Sequence, residues 1–451
     1  MSRAASFAVV LAVCLGTTFA LTPLVRMLAL RFGAVQEPDE RRVHEKTTAV
    51  IGGVAMFGGF LAGFVTASRL DAFNEVFSGS NEPKGVLLAA FIIVVIGHVD
   101  DLKDVSAPAK LAGTVLAASA LVLFGVSMIE LRVPFYNSVQ LSPDLTFLLS
   151  VLWVVAMAHA INLIDGLDGL AAGIVGIAAT VFFLYTVRLS DQGLLDAGNI
   201  GPLIALLVVG MCVGFLPWNA HPAKIFMGDG GALLLGVLMA ASTMVVGGRP
   251  RQDFNGQVFF FYAPLVIPIL VLGVPIFDTG FAIIRRAVKR SGVATADKEH
   301  LHHRLMRLGH GHRRTVFILW AWTALLSGFV LYPVYTGKGD ASVPLGLVGL
   351  ALLLYSVLHP SWRKGREVEV GAEVSAANGD AAVGGVQTAS GIETTSAPPL
   401  LTAAGIDAAP VDGREIRKKA ARQRAERRAT GQMPAVDPRG KPRPNRPRRP
   451  R

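Results

Sequence analysis

Cysteine is nearly missing from this chain: two residues in 451, Cys14 and Cys212, each inside an apolar run. That excludes a disulfide framework and a cysteine-based metal site. Charge is scarce as well. Asp, Glu, Lys and Arg make up 17% of the residues and apolar side chains 52%, whereas soluble domains carry about 25% charged residues. With a mean hydropathy of +0.50, a soluble multi-domain enzyme is disfavoured. No GxxxxGK[ST] loop occurs, which argues against nucleotide hydrolysis as a driver. What is abundant is uninterrupted apolar sequence.

A bilayer core takes about 20 mostly apolar residues per helix. Such runs lie at about 6–30, 49–68, 86–99, 109–128, 146–163, 169–187, 201–217, 231–247, 257–277, 315–334 and 343–358. The expected fold is therefore all-α and polytopic, with about eleven transmembrane helices. The first run follows Arg3 but continues to Leu30, so it reads as a retained helix rather than a signal peptide. Gly58, Gly59 and Gly63 in the second run suit close helix packing.

Basic residues gather in alternate loops. Arg31, Arg41, Arg42 and Lys46 follow the first run; Arg285, Arg286, Lys289, Arg290, Lys298, Arg304, Arg307, Arg313 and Arg314 follow the ninth. The positive-inside rule places these loops and the C-terminus in the cytoplasm and the N-terminus outside. Two parts are expected: a membrane domain over 1–360 and a disordered basic cytoplasmic tail over 361–451. From Arg363 onward there are 18 Lys/Arg and 10 Asp/Glu, with no sustained apolar period. A membrane-proximal arm explains that tail more economically than nucleic-acid binding does.

Polar residues at span ends are functional candidates, and here they collect in the loops assigned to one side. GHVDDLKD carries Asp100, Asp101 and Asp104, oxygen ligands suited to Mg²⁺ or Mn²⁺; the alternative is a solvated helix stop. NLIDGLDGLAAG spaces Asn162, Asp165 and Asp168 every three residues, with glycines that let a ligand approach the backbone; each Asp could otherwise cap the next helix. KIFMGDGG places Asp229 at the mouth of a span, suited to capping or to a metal bridging to phosphate. His300, His302, His303 and Arg304 in HLHHRL form a donor cluster suited to a diphosphate; zinc is the rival reading, weakened by the lack of a Cys partner, and a basic surface helix is the other. Acids for a divalent metal, glycine turns and Arg/His donors together suit phosphoryl transfer at a membrane. A cation-coupled secondary transporter is the rival from another class, but its acids would lie near the bilayer midplane rather than at span ends.

In this order among the apolar runs, the four motifs resemble those of the polyprenyl-phosphate N-acetylhexosamine-1-phosphate transferases (glycosyltransferase family 4), over about residues 1–360. HLHHRL resembles the undecaprenyl- or decaprenyl-phosphate branch that uses UDP-N-acetylglucosamine to prime cell-wall polymers. The phospho-MurNAc-pentapeptide transferases of peptidoglycan synthesis are the runner-up. The resemblance implies a multi-pass cell-membrane enzyme with a cytoplasmic active site. It would move a HexNAc-1-phosphate from a UDP-sugar to a polyprenyl phosphate and release UMP, using Mg²⁺, with Mn²⁺ as the alternative. Asp229 would hold the metal, joined by Asp101, and Phe226 would stack on uracil. Asn162, Asn219, Asp165 and Asp168 would line the nucleotide-sugar site. Asp100 and Asp101 would face the lipid phosphate and the metal, and Lys110 would meet that phosphate. Asp100, Asp101, Asp165 and Asp168 are thus the catalytic candidates. His300, His302, His303 and Arg304 would contact the diphosphate or sugar. Membrane lipid is a partner, the resemblance admits a homodimer, and nucleic acid is not expected. One departure stands out: KTTAVIGG has Ala49 and Val50 where the family has a Pro and a polar residue before the Gly52–Gly53 pair, while Arg42, His44 and Lys46 keep the basic lead-in.

Overall fold

A computed structural model describes residues 1–36, 47–103, 105–132, 138–247 and 310–336, with 344, 347–349 and 351. Among these residues the protein is an all-α polytopic membrane protein with seven helices long and apolar enough to span, or eight if one bent pair counts as a span. The helices are α1 (Arg3–Phe32), α2 (Gly53–Ala67), α3 (Asn74–Ser78), α4 (Glu82–Lys103), α5 (Ala107–Leu123), α6 (Pro143–Ile164), α7 (Leu170–Asp191), α8 (Gly201–Asn219), α9 (Gly228–Gly247) and α10 (His312–Thr336). Two short antiparallel ribbons accompany them: β1 (Val35–Gln36) with β2 (Thr48–Ala49), and β3 (Glu130–Arg132) with β4 (Ser138–Gln140).

Local chemistry sets the boundaries. Ser2 and Ser142 accept hydrogen bonds from the Ala5 and Leu145 amides at the starts of α1 and α6, and Pro143 occupies the first turn of α6. Gly33 closes α1 in the left-handed region (φ 72°). Inside the apolar helices, hydroxyls return to the backbone: Thr18 donates to Cys14 O (2.8 Å) and Thr22 to Thr18 O (2.6 Å).

Two apolar runs take forms that hydropathy does not specify. The run at 49–68 becomes α2, which breaks into the segment Asp71–Ser78 at a bend of 96°. The run at 109–128 becomes the 17-residue α5, short for a span. Conversely, the run at 86–99 extends at both ends into the 22 residues of α4, so Asp100 and Asp101 lie on its last turn. The runs at 257–277 and 343–358, the former wholly and the latter mostly, and the tail from 361 onward lie outside the described residues.

α9 occupies the centre. Every residue from Gly230 to Val246 is buried, whereas α1 presents Phe19, Leu24, Met27 and Phe32 outward. A helix apolar all round belongs in the interior of a bundle, and α9 packs against α2, α4, α6 and α8. Polar stitches fix it: Trp153 Nε1 donates to Thr243 Oγ1 (3.0 Å) and Ser242 Oγ to Gly201 O (2.7 Å). Small residues bring backbones together, as the sequence suggested for α2: a side chain at Gly59 would meet Cys14 O at 2.8 Å. Nearer the polar end, a Cβ at Gly97 of α4 would lie 2.5 Å from the Gly230 amide nitrogen of α9.

That contact yields a prediction. Gly97→Ala should lower the melting temperature of the detergent-purified protein by several degrees, from overpacking worth about 1–3 kcal/mol. Gly16→Ala, where a Cβ meets nothing within 4 Å, should lower it by none. Equal melting of both variants would show that the α4–α9 contact is not tight.

Candidate active site

The N-terminus of the central helix is where the acids meet. α9 begins at Gly228, whose positive φ (68°) and close neighbour, Asp101 Oδ2 at 2.5 Å from a would-be Cβ, leave room for glycine alone. The first amides of α9 point toward α4 without intrahelical partners. Asp101 fills them: its Oδ1 accepts from the Asp229 N–H (2.7 Å) and its Oδ2 from the Gly230 N–H (3.2 Å). An anion there is favoured by the helix dipole. Both Asp101 oxygens are thus engaged in capping another helix, and a cation would have to use their remaining lone pairs.

Asp100, one residue earlier, points elsewhere. Its Oδ1 accepts from the Val105 N–H (2.7 Å), which closes the turn into α5, and its Oδ2 pairs with Lys110. Lys110 also pairs with Asp229 Oδ2. One ammonium therefore bridges two carboxylates brought from α4 and α9. Thr114, a turn further along α5, donates to the Lys110 carbonyl (3.0 Å) and faces His159 of α6. His98 packs across Gly230 with Nδ1 on Val94 O (2.7 Å), so the end of α4 is fitted to the start of α9 by shape as well as charge.

The α6–α7 turn supplies the opposite wall. Asp165 ends α6, and Gly169 starts α7 in the left-handed region (φ 76°). Asn219, buried at the end of α8, accepts from the Gly169 N–H (3.0 Å) and donates to Ile225 O (3.0 Å), tying this turn to the segment before α9. Asp168 is buried below, its Oδ2 accepting from the Ala223 N–H (3.0 Å) and paired with His221 Nδ1 (2.7 Å). His312, the first residue of α10, brings its Nε2 to 4.0 Å from the same oxygen. Asp168, His221 and His312 place three donor atoms within 4.8 Å of one another, a cluster able to coordinate a divalent metal.

A third segment straps Phe226 in place. Ala49 pairs alongside Ile225; the Phe226 N–H donates to Ala49 O (2.8 Å) and Phe226 O accepts from the Gly52 N–H (3.0 Å). Gly53 N–H then donates to Met227 O (2.8 Å), and Val50 N–H to Ala34 O (3.2 Å).

Between these walls lies a cleft of about 140 Å³. Asp101, Asn162, Asp165, Asp168, Asn219, Phe226 and Asp229 all line it. Asp100 and Lys110 join it through Asp229. His300, His302, His303 and Arg304, like Asp104, Arg42, His44 and Lys46, lie outside the described residues. His98, His221 and His312 stand at the site although the sequence motifs assign them no role, and the 49–53 strap, noted in the sequence for its departure at Ala49 and Val50, stands there too. His221 and His312 lie just outside the noted motifs KIFMGDGG and HLHHRL, 91 positions apart, and no spacing rule joins them.

Electrostatics mark the cleft as cation-seeking. Burial, then the charges of Asp229, Asp101 and Asp168, push the Asp165 carboxyl up to about 8. Oxygen donors crowded until one is driven toward its protonated form, with a lysine drawn between two others, fit Mg²⁺ or Mn²⁺.

The profile described as Glycosyl transferase family 4 matches residues 84–247. The decaprenyl-phosphate N-acetylglucosaminephosphotransferase of Mycolicibacterium smegmatis is 36% identical over 353 residues, covering 77% of this chain and 87% of that protein. The probable undecaprenyl-phosphate N-acetylglucosaminyl 1-phosphate transferase of Bacillus subtilis is 38% identical over 319 residues, 70% and 81%. The phospho-N-acetylmuramoyl-pentapeptide-transferase of Mycobacterium leprae is 30% identical over 357 residues, 71% and 94%.

A carboxyl whose pKa is raised by folding opposes folding once the pH exceeds its unfolded value, about 4, and increasingly so up to its folded value. In metal-free buffer, Asp165→Asn should therefore raise the melting temperature, with a gain that grows from about pH 5 to pH 8. Thermal melts with and without a divalent cation check this; the cation should shrink the gain. A pH-independent difference would show that Asp165 titrates as an ordinary carboxylate.

Proposed function

Because the chain belongs to glycosyl transferase family 4, we propose that it transfers N-acetylglucosamine-1-phosphate from UDP-N-acetylglucosamine to a polyprenyl phosphate, releasing UMP. The observation that carries the reading is the single cleft at the start of α9, lined by Asp229, Asp165, Asn162 and Phe226, with Lys110 beside it. The closer relatives act, by their names, on decaprenyl or undecaprenyl phosphate with N-acetylglucosamine; the pentapeptide transferase stands at 30% identity. The basic loops support placing the cleft at the cytoplasmic face.

The reaction forms a bond from a lipid-phosphate oxygen to the β-phosphorus of the UDP-sugar. The bond from that phosphorus to the bridging oxygen breaks, and UMP leaves with the oxygen and its electron pair. A phosphate monoester, with a second pKa of about 6, is already largely anionic at neutral pH; it needs positioning more than deprotonation. Lys110, at the junction of Asp100 and Asp229, is placed to receive the lipid phosphate. Asp100, held by Lys110 and the Val105 amide, orients that lysine and serves poorly as a nucleophile. Phe226, fixed through both sides of its peptide, is the platform for uracil, and Asn162 and Asp168 line the nucleotide's path. Asp229, with Asp165 nearby, would hold a divalent cation, which when bound would neutralise charge on the diphosphate and the leaving UMP. The acids stand at helix ends, which favours this reading over a transporter's midplane site.

Membranes containing the protein should move label from UDP-N-acetylglucosamine, and not from UDP-MurNAc-pentapeptide, into the organic phase. Asp229→Asn should lower that transfer by about 100-fold or more while the melting curve stays cooperative. Transfer from the pentapeptide substrate instead would reassign the branch, and near-normal transfer by the variant would remove Asp229 from the metal.

A further inference from the structure

The cleft's acids form a hard, all-oxygen centre, but Asp168 turns its carboxylate away from them toward two imidazoles. We propose that Asp168, His221 and His312 form a second, chemically distinct metal site that takes a zinc-class transition metal and pins three chain segments at the edge of the cleft. The site shares Asp168 with the cleft and borders the nucleotide's path, but it uses none of the acids assigned to the divalent cation of the transferase reading.

The donor set carries the assignment. Two imidazole nitrogens and one carboxylate oxygen suit Zn²⁺, whereas Mg²⁺ takes oxygens. In a tetrahedral zinc site, bonds of about 2.0–2.1 Å put the ligand atoms about 3.3 Å apart. Here Asp168 Oδ2 lies 2.7 Å from His221 Nδ1 and 4.0 Å from His312 Nε2. These distances straddle the required value, so small side-chain rotations close the shell. Three protein ligands leave a fourth position for water or a substrate oxygen.

The surroundings are built rather than accidental. The Asp168 side chain is 3% exposed and that of His312 8%. The Ala223 N–H donates to Asp168 Oδ2 (3.0 Å), the kind of outer contact that orients a ligating carboxylate. The two imidazoles stand side by side at one carboxylate, with centroids 4.1 Å apart at 22°. Each ligand comes from a different segment: the α6–α7 turn, the α8–α9 loop and the start of α10. A metal there would cross-link the α6–α7 turn and the α8–α9 loop, which carry Asp165 and Phe226, to the first turn of α10.

The test uses the full chain, purified in detergent through a tag without histidines, exposed to Zn²⁺, desalted and assayed by elemental mass spectrometry. The expected result is one tightly held zinc per chain, kept by Asp229→Asn. His221→Gln and His312→Gln should weaken it by at least about 10- to 100-fold, as loss of metal-shell contacts does, with cooperative melts confirming that they fold. Co²⁺ substituted into the wild-type protein should give the visible bands of a low-coordinate, nitrogen-ligated site, a readout that needs no variant. The proposal is overturned if no zinc is retained above a protein-free blank. It is equally overturned if both glutamine variants keep the zinc, if Asp229→Asn loses it, or if replacing His300, His302 and His303 abolishes it.

Discussion

Carboxylates at the end of an apolar bundle must be matched by positive charge, and that requirement organises this protein. Two sources meet it at one place. The partial charge of the α9 N-terminus is answered by Asp101; the Lys110 ammonium lies between Asp100 and Asp229. Among the described residues Asp165 is left over, and its carboxyl is driven up to about 8 by burial and by its neighbours. A site that neutralises most but not all of its own charge is predisposed to a divalent cation and, through it, to an anionic diphosphate.

The fold exists to hold that arrangement still. α9 is buried along its length, so its first turn cannot drift. Each neighbour contributes through its own end: α4 caps α9, α5 brings Lys110, α6 ends in Asp165, and α8 ends in Asn219, which ties the two turns together. The 49–53 strand-like strap then fixes the peptide of Phe226 from the remaining side. The strap is held by backbone hydrogen bonds, and Asp101 and Asn219 are short side chains anchored on backbone groups, which position the site more rigidly than long side chains do.

Much of this was legible in the sequence for simple physical reasons. An apolar run of span length has few other fates, so α1, α4 and α6 to α10 could be placed to within a few residues. Acids at the margins of such runs are costly, so Asp100, Asp101, Asp165, Asp168 and Asp229 stand out in the sequence itself. Other features depend on distance in space rather than along the chain. That Asp101 caps α9 follows from Gly97 and Gly228 letting α4 approach, which no local pattern encodes. Lys110 serving two carboxylates, and His221 meeting His312 across 91 residues, are consequences of packing. The bend after α2 and the shortness of α5 are likewise set by tertiary fit, since hydropathy measures solvent preference and not direction. The ribbon of β1 and β2, two residues per strand, is too short to leave a period.

The most direct measurement of the central claim is electron paramagnetic resonance of Mn²⁺ added to the purified protein, with phosphorus hyperfine coupling read after addition of UDP. The account predicts one bound Mn²⁺ per chain, coupled to phosphorus when UDP is present, with the signal lost in Asp229→Asn. Mn²⁺ that stays free, or that binds without phosphorus coupling and survives removal of Asp229, would contradict it.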